Sequence, residues 1–188
     1  GKLTGYSARE VLQDEQKLLD SLLAVNRTYL PDGQPVIFDL QVEAEILGCQ
    51  LKWDEKSPPS VVTHPLESNL ALPTNSSLEG QGRLPIILNV MRRLQEQVGQ
   101  STALYGLVTG PLTLASHLRG TDLFMDTFDR PDFLQELLDY CTHVCLGMSR
   151  LYNQAGMDVI AVVDPVVSQI SPRHLERFLL QPYQKIFQ

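Results

Sequence analysis

The stretch GMDVIAVVDPVV, residues 156–167, is the most informative part of this chain of 188 residues. Its centre, Val159–Val163, has five consecutive β-branched or small apolar residues and lacks the alternation of a strand with one face in water. Strands of parallel sheets, which helices cover on both faces, have this pattern. We therefore predict a buried parallel strand that ends at Asp164-Pro165.

Amphipathic helices and further strand-like runs alternate along the rest of the chain. A helix is predicted from Pro131 to Ala155-Gly156, because its apolar residues share one face and proline suits a first helical position. Ala103–Thr109 is a second predicted strand, and Pro35–Asp39 and Val61–Thr63 are two more. This order predicts an α/β fold in which the four strands lie side by side and parallel.

Local signals mark further helices. Ser7-Ala8-Arg9-Glu10 has the pattern of a capping box, and the helix that it opens is expected to run toward a turn at Pro31-Asp32-Gly33. Another helix is predicted to begin at Leu84-Pro85 and to stop at Gly99. Ser171-Pro172 is predicted to open one more near the end of the chain.

The chain is short for a complete barrel of eight strand–helix units, which takes about 250 residues. It shows four convincing strands, and its last residues lie in a predicted helix. We therefore expect residues 1–188 to form a single domain, about half of a (β/α)8 TIM barrel, truncated at both ends.

Composition excludes several classes of function. The net charge of −7 and the low pI argue against nucleic acid as a partner, since phosphate binding needs clustered Lys and Arg. No apolar run is long enough for a membrane span, and the first residues do not resemble a signal peptide. Three cysteines do not make a disulfide framework, which favours a cytoplasmic location. Dinucleotide, P-loop, nucleophile-elbow and zinc-protease motifs are absent from the sequence.

Three places follow predicted strands and are candidates for a site by position. They are Asp39, Thr109-Gly110-Pro111 and Asp164. Ligands of parallel α/β folds bind at the carboxyl ends of the strands, where a carboxylate can bind a cationic group or act as an acid or base. The alternative is that each aspartate caps the following helix. We expect Asp39 and Asp164 to lie on one rim of the sheet, with Gly110-Pro111 between them.

Histidine and cysteine residues give one further candidate and one exclusion. His117 lies on the short helix predicted after Gly110-Pro111, from which it can point toward the mouth of the barrel; the alternative is a surface or core histidine without a role in the site. Cys141 and Cys145 belong to the apolar face of the long helix, whereas His143 lies about 200° around the helix from the position of Cys141. Because these side chains cannot converge on one ion, we predict no metal site there and assign the cysteines to the core.

Three stretches together resemble the uroporphyrinogen decarboxylase family. They are IFDLQVEAEILGC (37–49), TGPLTLASHLRG (109–120) and AGMDVIAVVDP (155–165), the last continuing through Ser168–Pro172 to Pro182-Tyr183. The resemblance covers nearly the whole chain. It implies a (β/α)8 barrel with a pocket in the mouth. From this resemblance together with their positions, we expect Asp39, His117 and Asp164 to be catalytic and Gly110, Pro111 and Ser171 to contact the substrate.

The family that this sequence resembles has a decarboxylase branch and a methyltransferase branch. In decarboxylases, the aspartate that Asp39 matches contacts the pyrrole nitrogens of the substrate. The family's tyrosine is replaced here by His117, an expected serine by Pro165, and the N-terminal arginine motif is absent. The forms of residues 42–45 and 110–120 look closer to the methyltransferases, which move a methyl group between a corrinoid and a thiol or similar acceptor.

The methyltransferase branch is the leading expectation for function. It implies zinc and a methylcobamide for the intact protein, with the zinc held by a His-x-Cys pair and a further Cys that this chain lacks, so we expect no complete zinc site here. A corrinoid or tetrapyrrole substrate and a corrinoid protein are the implied partners. The alternatives are a uroporphyrinogen decarboxylase, which needs no cofactor, and a catalytically silent half-barrel that only binds or assembles.

Overall fold

The computed structural model of the protein describes residues 2–74 and 77–188, so residues 1, 75 and 76 of the expected domain lie outside it. The strands are β1 (Gly33–Pro35), β2 (Leu51–Lys52), β3 (Ser60–Val61), β4 (Ala103–Thr109) and β5 (Val159–Val163). The helices are α1 (Ala8–Gln13), α2 (Glu15–Tyr29), α3 (Val42–Ile46), α4 (Leu84–Val98), α5 (Pro111–Arg119), α6 (Asp122–Asp129), α7 (Pro131–Gln154), α8 (Pro172–His174) and α9 (Leu180–Ile186). A 3-10 helix spans Pro165–Gln169, and a π-helical segment spans Leu175–Leu179.

A parallel sheet of three strands, in the order β1-β4-β5, forms the centre of the fold. Gly33 of β1 is paired with Ala103, and Tyr105 of β4 is paired with Val159 of β5. All three strands point the same way, which confirms an α/β fold with a partial parallel sheet. Their carboxyl ends meet at one edge, which we call the rim together with the loops that follow each strand.

The prediction of four parallel strands was wrong. The run Val61–Thr63 contributes only Val61 to a strand, and β3 pairs antiparallel with β2 in a separate sheet of two strands. The connection between β2 and β3 is too short for the crossover that parallel neighbours require. The predicted strand Pro35–Asp39 is also displaced, because the ladder with β4 ends near Val36, whose N–H donates to the Tyr105 carbonyl (3.1 Å).

The prediction of a long helix with one apolar face is confirmed by α7. Proline occupies its first turn, and its buried face packs on β4 and β5. The buried residues of α7 are Leu134, Leu137, Leu138, Cys141, Thr142, Val144, Cys145, Met148 and Tyr152. At Gly106 of β4 an added Cβ would lie 2.7 Å from the Tyr152 ring, so glycine is what lets this helix approach the sheet.

Strand β5 is less buried than its sequence predicts. Val159 is 44% exposed, and the other four residues of the strand are partly buried. Among the described residues, β5 has a paired neighbour on one side only. Its apolar sequence is therefore that of an interior strand in an edge position.

Helix ends follow local chemistry in most places. Ser7 and Glu10 form the predicted capping box, but the helix stops at Gln13, because Asp14 turns the chain and caps α2 by accepting from the Lys17 N–H (2.8 Å). Helix α4 has the predicted limits, and α6 was not predicted. None of the helices in residues 2–74 and 77–188 combines the length and the apolar character needed to cross a membrane.

Candidate active site at the carboxyl end of the sheet

The ends of β4 and β5 are fastened to each other at the rim. The Gly110 N–H donates to the Val163 carbonyl (2.9 Å), which extends the parallel ladder by one bond. An added Cβ on Gly110 would overlap the Asp164 side chain, so the close approach of the two strand ends requires glycine at this position. Pro111 then begins α5 and is buried.

Asp164 is bound by the first turn of α5 and by Tyr183 of α9. Its carboxylate accepts from the Leu112 N–H (3.1 Å), from the Thr113 N–H (2.7 Å) and hydroxyl (2.6 Å), and from the Tyr183 hydroxyl (2.8 Å). Burial and the adjacent Asp164 raise the pKa of Tyr183. Asp164 therefore does cap a helix, although it is the helix of the neighbouring unit rather than the one that follows it in sequence.

Asp39 is buried beside an arginine that the sequence patterns did not single out. Its carboxylate accepts from Arg83 Nη1 (2.7 Å) and from the Gln41 N–H (2.9 Å), and its side chain is fully buried. Arg83 also binds Glu45 through Nε (2.7 Å), and its guanidinium lies 4.8 Å from the centre of the Trp53 ring. The charge of Arg83 is thus balanced by two carboxylates.

Glu43, in the first turn of α3, binds the end of β4. Its Oε1 accepts from the Thr109 N–H (2.9 Å), and its Oε2 lies 2.7 Å from the Thr109 hydroxyl. The same hydroxyl lies 3.0 Å from the Leu40 carbonyl. Burial raises the pKa of Glu43 from 4.5 to about 6. The side chain therefore fixes the residues next to Asp39 against β4.

Two histidines line a cavity of about 380 Å³ at the rim. His64 Nδ1 is 2.8 Å from the His117 carbonyl, and since a carbonyl can only accept, His64 Nδ1 is the donor of this bond. Burial and the neighbouring His64 lower the pKa of His117 to about 4, so its ring is neutral at pH 7. The residues lining this rim cavity are Gln41, Ser60, Val61, His64, Ser116, His117, Gly120, Thr121, Phe124, Val166 and Gln169.

The structure brings some of the predicted site residues together and separates others. His117 lines the rim cavity, while Asp164, Gly110 and Pro111 form the rim beside its helix. Asp39 is connected to the cavity through Gln41, which both binds its carboxylate and lines the wall. Ser171 is exposed, and its hydroxyl accepts from the His174 N–H (3.2 Å) as an ordinary helix cap.

Three residues of the site were missed from sequence. Arg83 is separated by 44 residues from Asp39, and His64 by 53 residues from His117, so no local spacing indicates either pair. Glu43 was noted as part of a family-like segment without a role of its own. An arginine immediately before a predicted helix, at Leu84-Pro85, is the one available signal, and it is weak.

A larger cavity, of about 940 Å³, lies elsewhere in the fold. It is bounded mainly by the N-terminal segment, α1 and α2, and none of the residues at the carboxyl ends of the parallel strands lines it. Since ligands of parallel α/β folds bind at those ends, the rim cavity is the better candidate for the site.

The residues described do not fit zinc. No group of three or more His, Cys, Asp or Glu side chains in residues 2–74 and 77–188 is placed to hold a metal ion. Burial raises the pKa values of Cys49 and Cys145 to about 12 and that of Cys141 further, which is the opposite of the thiolate that a metal needs.

Relatives named as methyltransferases and as decarboxylases both resemble this chain. The methylcobamide:CoM methyltransferase MtbA of Methanosarcina mazei is 35% identical over 155 residues, which cover 80% of this chain and 45% of that protein. The uroporphyrinogen decarboxylase of Trichormus variabilis is 24% identical over 169 residues, 86% of this chain and 48% of that protein. This chain therefore spans about half the length of these curated relatives.

A solved structure shares the fold. A methyltransferase from Methanosarcina mazei matches 98% of this chain with a TM-score of 0.92 and 26% sequence identity, and the match covers 56% of that protein's chain. The sequence profile of the family described as uroporphyrinogen decarboxylase (URO-D) matches residues 2–188. Since that match covers nearly the whole chain, the predicted resemblance is confirmed: this chain belongs to the uroporphyrinogen decarboxylase family.

Proposed function

We propose that the protein is a methyltransferase that moves a methyl group between a corrinoid and a thiol or similar acceptor. The observation that carries this proposal is the greater similarity to methylcobamide:CoM methyltransferases, at 35% identity, than to uroporphyrinogen decarboxylases, at 24%. In this proposal the chain forms part of a (β/α)8 barrel, and zinc and a methylcobamide serve the intact protein, with a corrinoid protein as partner.

The charges at the rim support this choice. Uroporphyrinogen carries eight carboxylates, and arginine is the strongest partner for such groups. Neither lysine nor arginine is among the residues that line the rim cavity, and Arg83 is already bound to Asp39 and Glu45. The Asp39 carboxylate, which in the decarboxylase branch contacts pyrrole nitrogens, is itself occupied by Arg83 and Gln41.

The size of the cavity supports a small acceptor. At about 380 Å³ it lies near the lower end of the range for drug-sized ligands, ~300–1,000 Å³. His117 offers a neutral imidazole to an acceptor in this cavity, and Asp164 positions α5, the helix that carries His117. We propose that Asp39 holds Gln41 in place in the wall of the rim cavity, because its carboxylate accepts a hydrogen bond from the Gln41 N–H.

Parallel assays of the intact protein test this function. Methylcobalamin with a thiol and zinc is expected to lose its methyl group, while uroporphyrinogen is expected to remain unchanged. His117→Ala should raise the KM for the thiol, whereas His143→Ala, an exposed residue of α7, should leave it unchanged. Formation of coproporphyrinogen without demethylation of the cobalamin would favour the decarboxylase alternative instead.

A further inference from the structure

The Thr109 hydroxyl at the end of β4 faces two oxygen atoms. Glu43 Oε2 is 2.7 Å from it, and the Leu40 carbonyl oxygen is 3.0 Å from it. A hydroxyl has one proton and can donate fully to only one of them. The Leu40 carbonyl has no proton, so it can only accept. If Glu43 were ionised, one of these two short contacts would join a pair of acceptors.

One assignment of protons satisfies every contact. We infer that Glu43, as the neutral acid in mildly acidic solution, donates through Oε2 to the Thr109 hydroxyl and thereby positions the loop that carries Asp39. The hydroxyl then donates to the Leu40 carbonyl, and Glu43 Oε1 accepts from the Thr109 N–H. The chain of bonds runs in one direction, from α3 through the end of β4 to the residue next to Asp39.

Asp164 shows the opposite arrangement on the same rim. Its four partners are two N–H groups and two hydroxyls, and each of them can donate to it. A carboxylate suits that set, because it is an acceptor only. At Glu43 the partners include a hydroxyl that is also needed by a carbonyl, and a carboxylic acid suits that set.

The surroundings of Glu43 favour the neutral form. The side chain is buried, with Asp39 close by, and the positive charge of Arg83 is bound by Asp39 and Glu45. Tyr152 and Cys145 of α7 face the same region, and burial keeps both neutral by raising their pKa values. Burial raises the pKa of Glu43 to about 6, so the neutral form holds in mildly acidic solution and gives way to the carboxylate as the pH rises through 6.

Ionisation of Glu43 would loosen the rim. Its carboxylate would compete with the Leu40 carbonyl for the single proton of Thr109, so the contact between β4 and the loop would weaken. Since Asp39 is adjacent to Leu40 and bonds to the Gln41 N–H, the ion pair with Arg83 depends on that loop. Glu43 is thus a positioning residue, and its role does not depend on which reaction the protein catalyses.

Glu43→Gln is the direct test, because its amide can donate to the hydroxyl and accept from the Thr109 N–H without titrating. A raised pKa in the folded state favours folding at low pH, and this advantage is lost as pH rises from the unfolded value of 4.5 through about 6. The folding equilibrium constant of the native protein, relative to that of Glu43→Gln, is therefore expected to fall about 20- to 30-fold between about pH 4 and 7.5. Glu45→Gln, on the same helix, is the matched control and should not show this pattern.

The protonation state can be read without any variant. A ¹³C NMR titration of the side-chain carboxyls in the native protein should show one glutamate titrating near pH 6, and Glu43→Gln should remove that signal. Titration of Glu43 with the exposed glutamates would overturn the inference. So would a Glu43→Gln variant that unfolds as readily at pH 5 as Glu43→Ala does.

Discussion

The ion pair between Asp39 and Arg83 gives a quantitative test of the rim. Asp39→Asn keeps the size of the side chain but removes the charge that lies 2.7 Å from Arg83 Nη1. Both side chains are almost completely buried, and removing one partner of a buried pair typically costs 3–5 kcal/mol. Glu45 still binds Arg83 from the other side, so we expect the low end of that range, about 3 kcal/mol.

Thermal and urea unfolding followed by circular dichroism would measure this loss. For a chain of this length, about 3 kcal/mol lowers the melting temperature by roughly 6–12 °C. His143→Ala is the control, since His143 is exposed and surface substitutions usually lie within about 0.5 kcal/mol of the native protein. The double variant Asp39→Leu/Arg83→Met should be less damaging than the sum of its parts, because neither charge is then left buried alone.

An Asp39→Asn protein as stable as His143→Ala would show that the buried ion pair does not stabilise the fold. It would mean that the Arg83 charge is compensated by Glu45 alone or by solvent. The ion pair with Arg83 would then not explain why Asp39 is buried at the rim.

Two further predictions follow from the packing of the rim and the core. Gly110→Ala should destabilise the fold by about 1–3 kcal/mol in urea unfolding, because its Cβ would press on the Asp164 side chain. The control is Gly147→Ala in α7, whose Cβ meets only the end of Leu78, so its free energy of unfolding should be nearly unchanged. Equal losses in the two variants would contradict the close approach of β4 and β5. Cys141 should resist alkylation by iodoacetamide at pH 8 in the folded protein and react after denaturation, because its thiol is fully buried and has a raised pKa. Rapid labelling of Cys141 in the native protein, detected by mass spectrometry, would contradict its place in the core.

Elements whose signals are local could be predicted from sequence. Helix α7 and strand β4 were predicted near their true limits, because an apolar face or an apolar run is a property of the segment itself. The shift of β1 to Gly33–Pro35 was not predictable in this way, since the register with Ala103–Tyr105 is decided by pairing across the sheet. The division at Asp14 has a local signal, because aspartate is a preferred N-cap residue and Asp14 accepts from the Lys17 N–H.

The residues at the rim could be predicted from the sequence, but their hydrogen-bond and ion-pair partners could not. The strand ends identified Asp39, Gly110 and Asp164 as residues of the rim. Their partners come from distant segments: Arg83 precedes α4, and Tyr183 belongs to α9. Those partners change the interpretation of both aspartates, because each carboxylate is bound by the protein itself before any substrate is present.

The proposed methyl transfer is tested most directly by following the methyl carbon itself. Methylcobalamin labelled with ¹³C in its methyl group would be incubated with the intact protein, zinc and a small thiol, and the products analysed by mass spectrometry. We predict the labelled thioether, in an amount that falls with His117→Ala and not with His143→Ala. Absence of the labelled thioether, together with conversion of uroporphyrinogen to coproporphyrinogen by the same preparation, would show that the protein is a decarboxylase and not a methyltransferase.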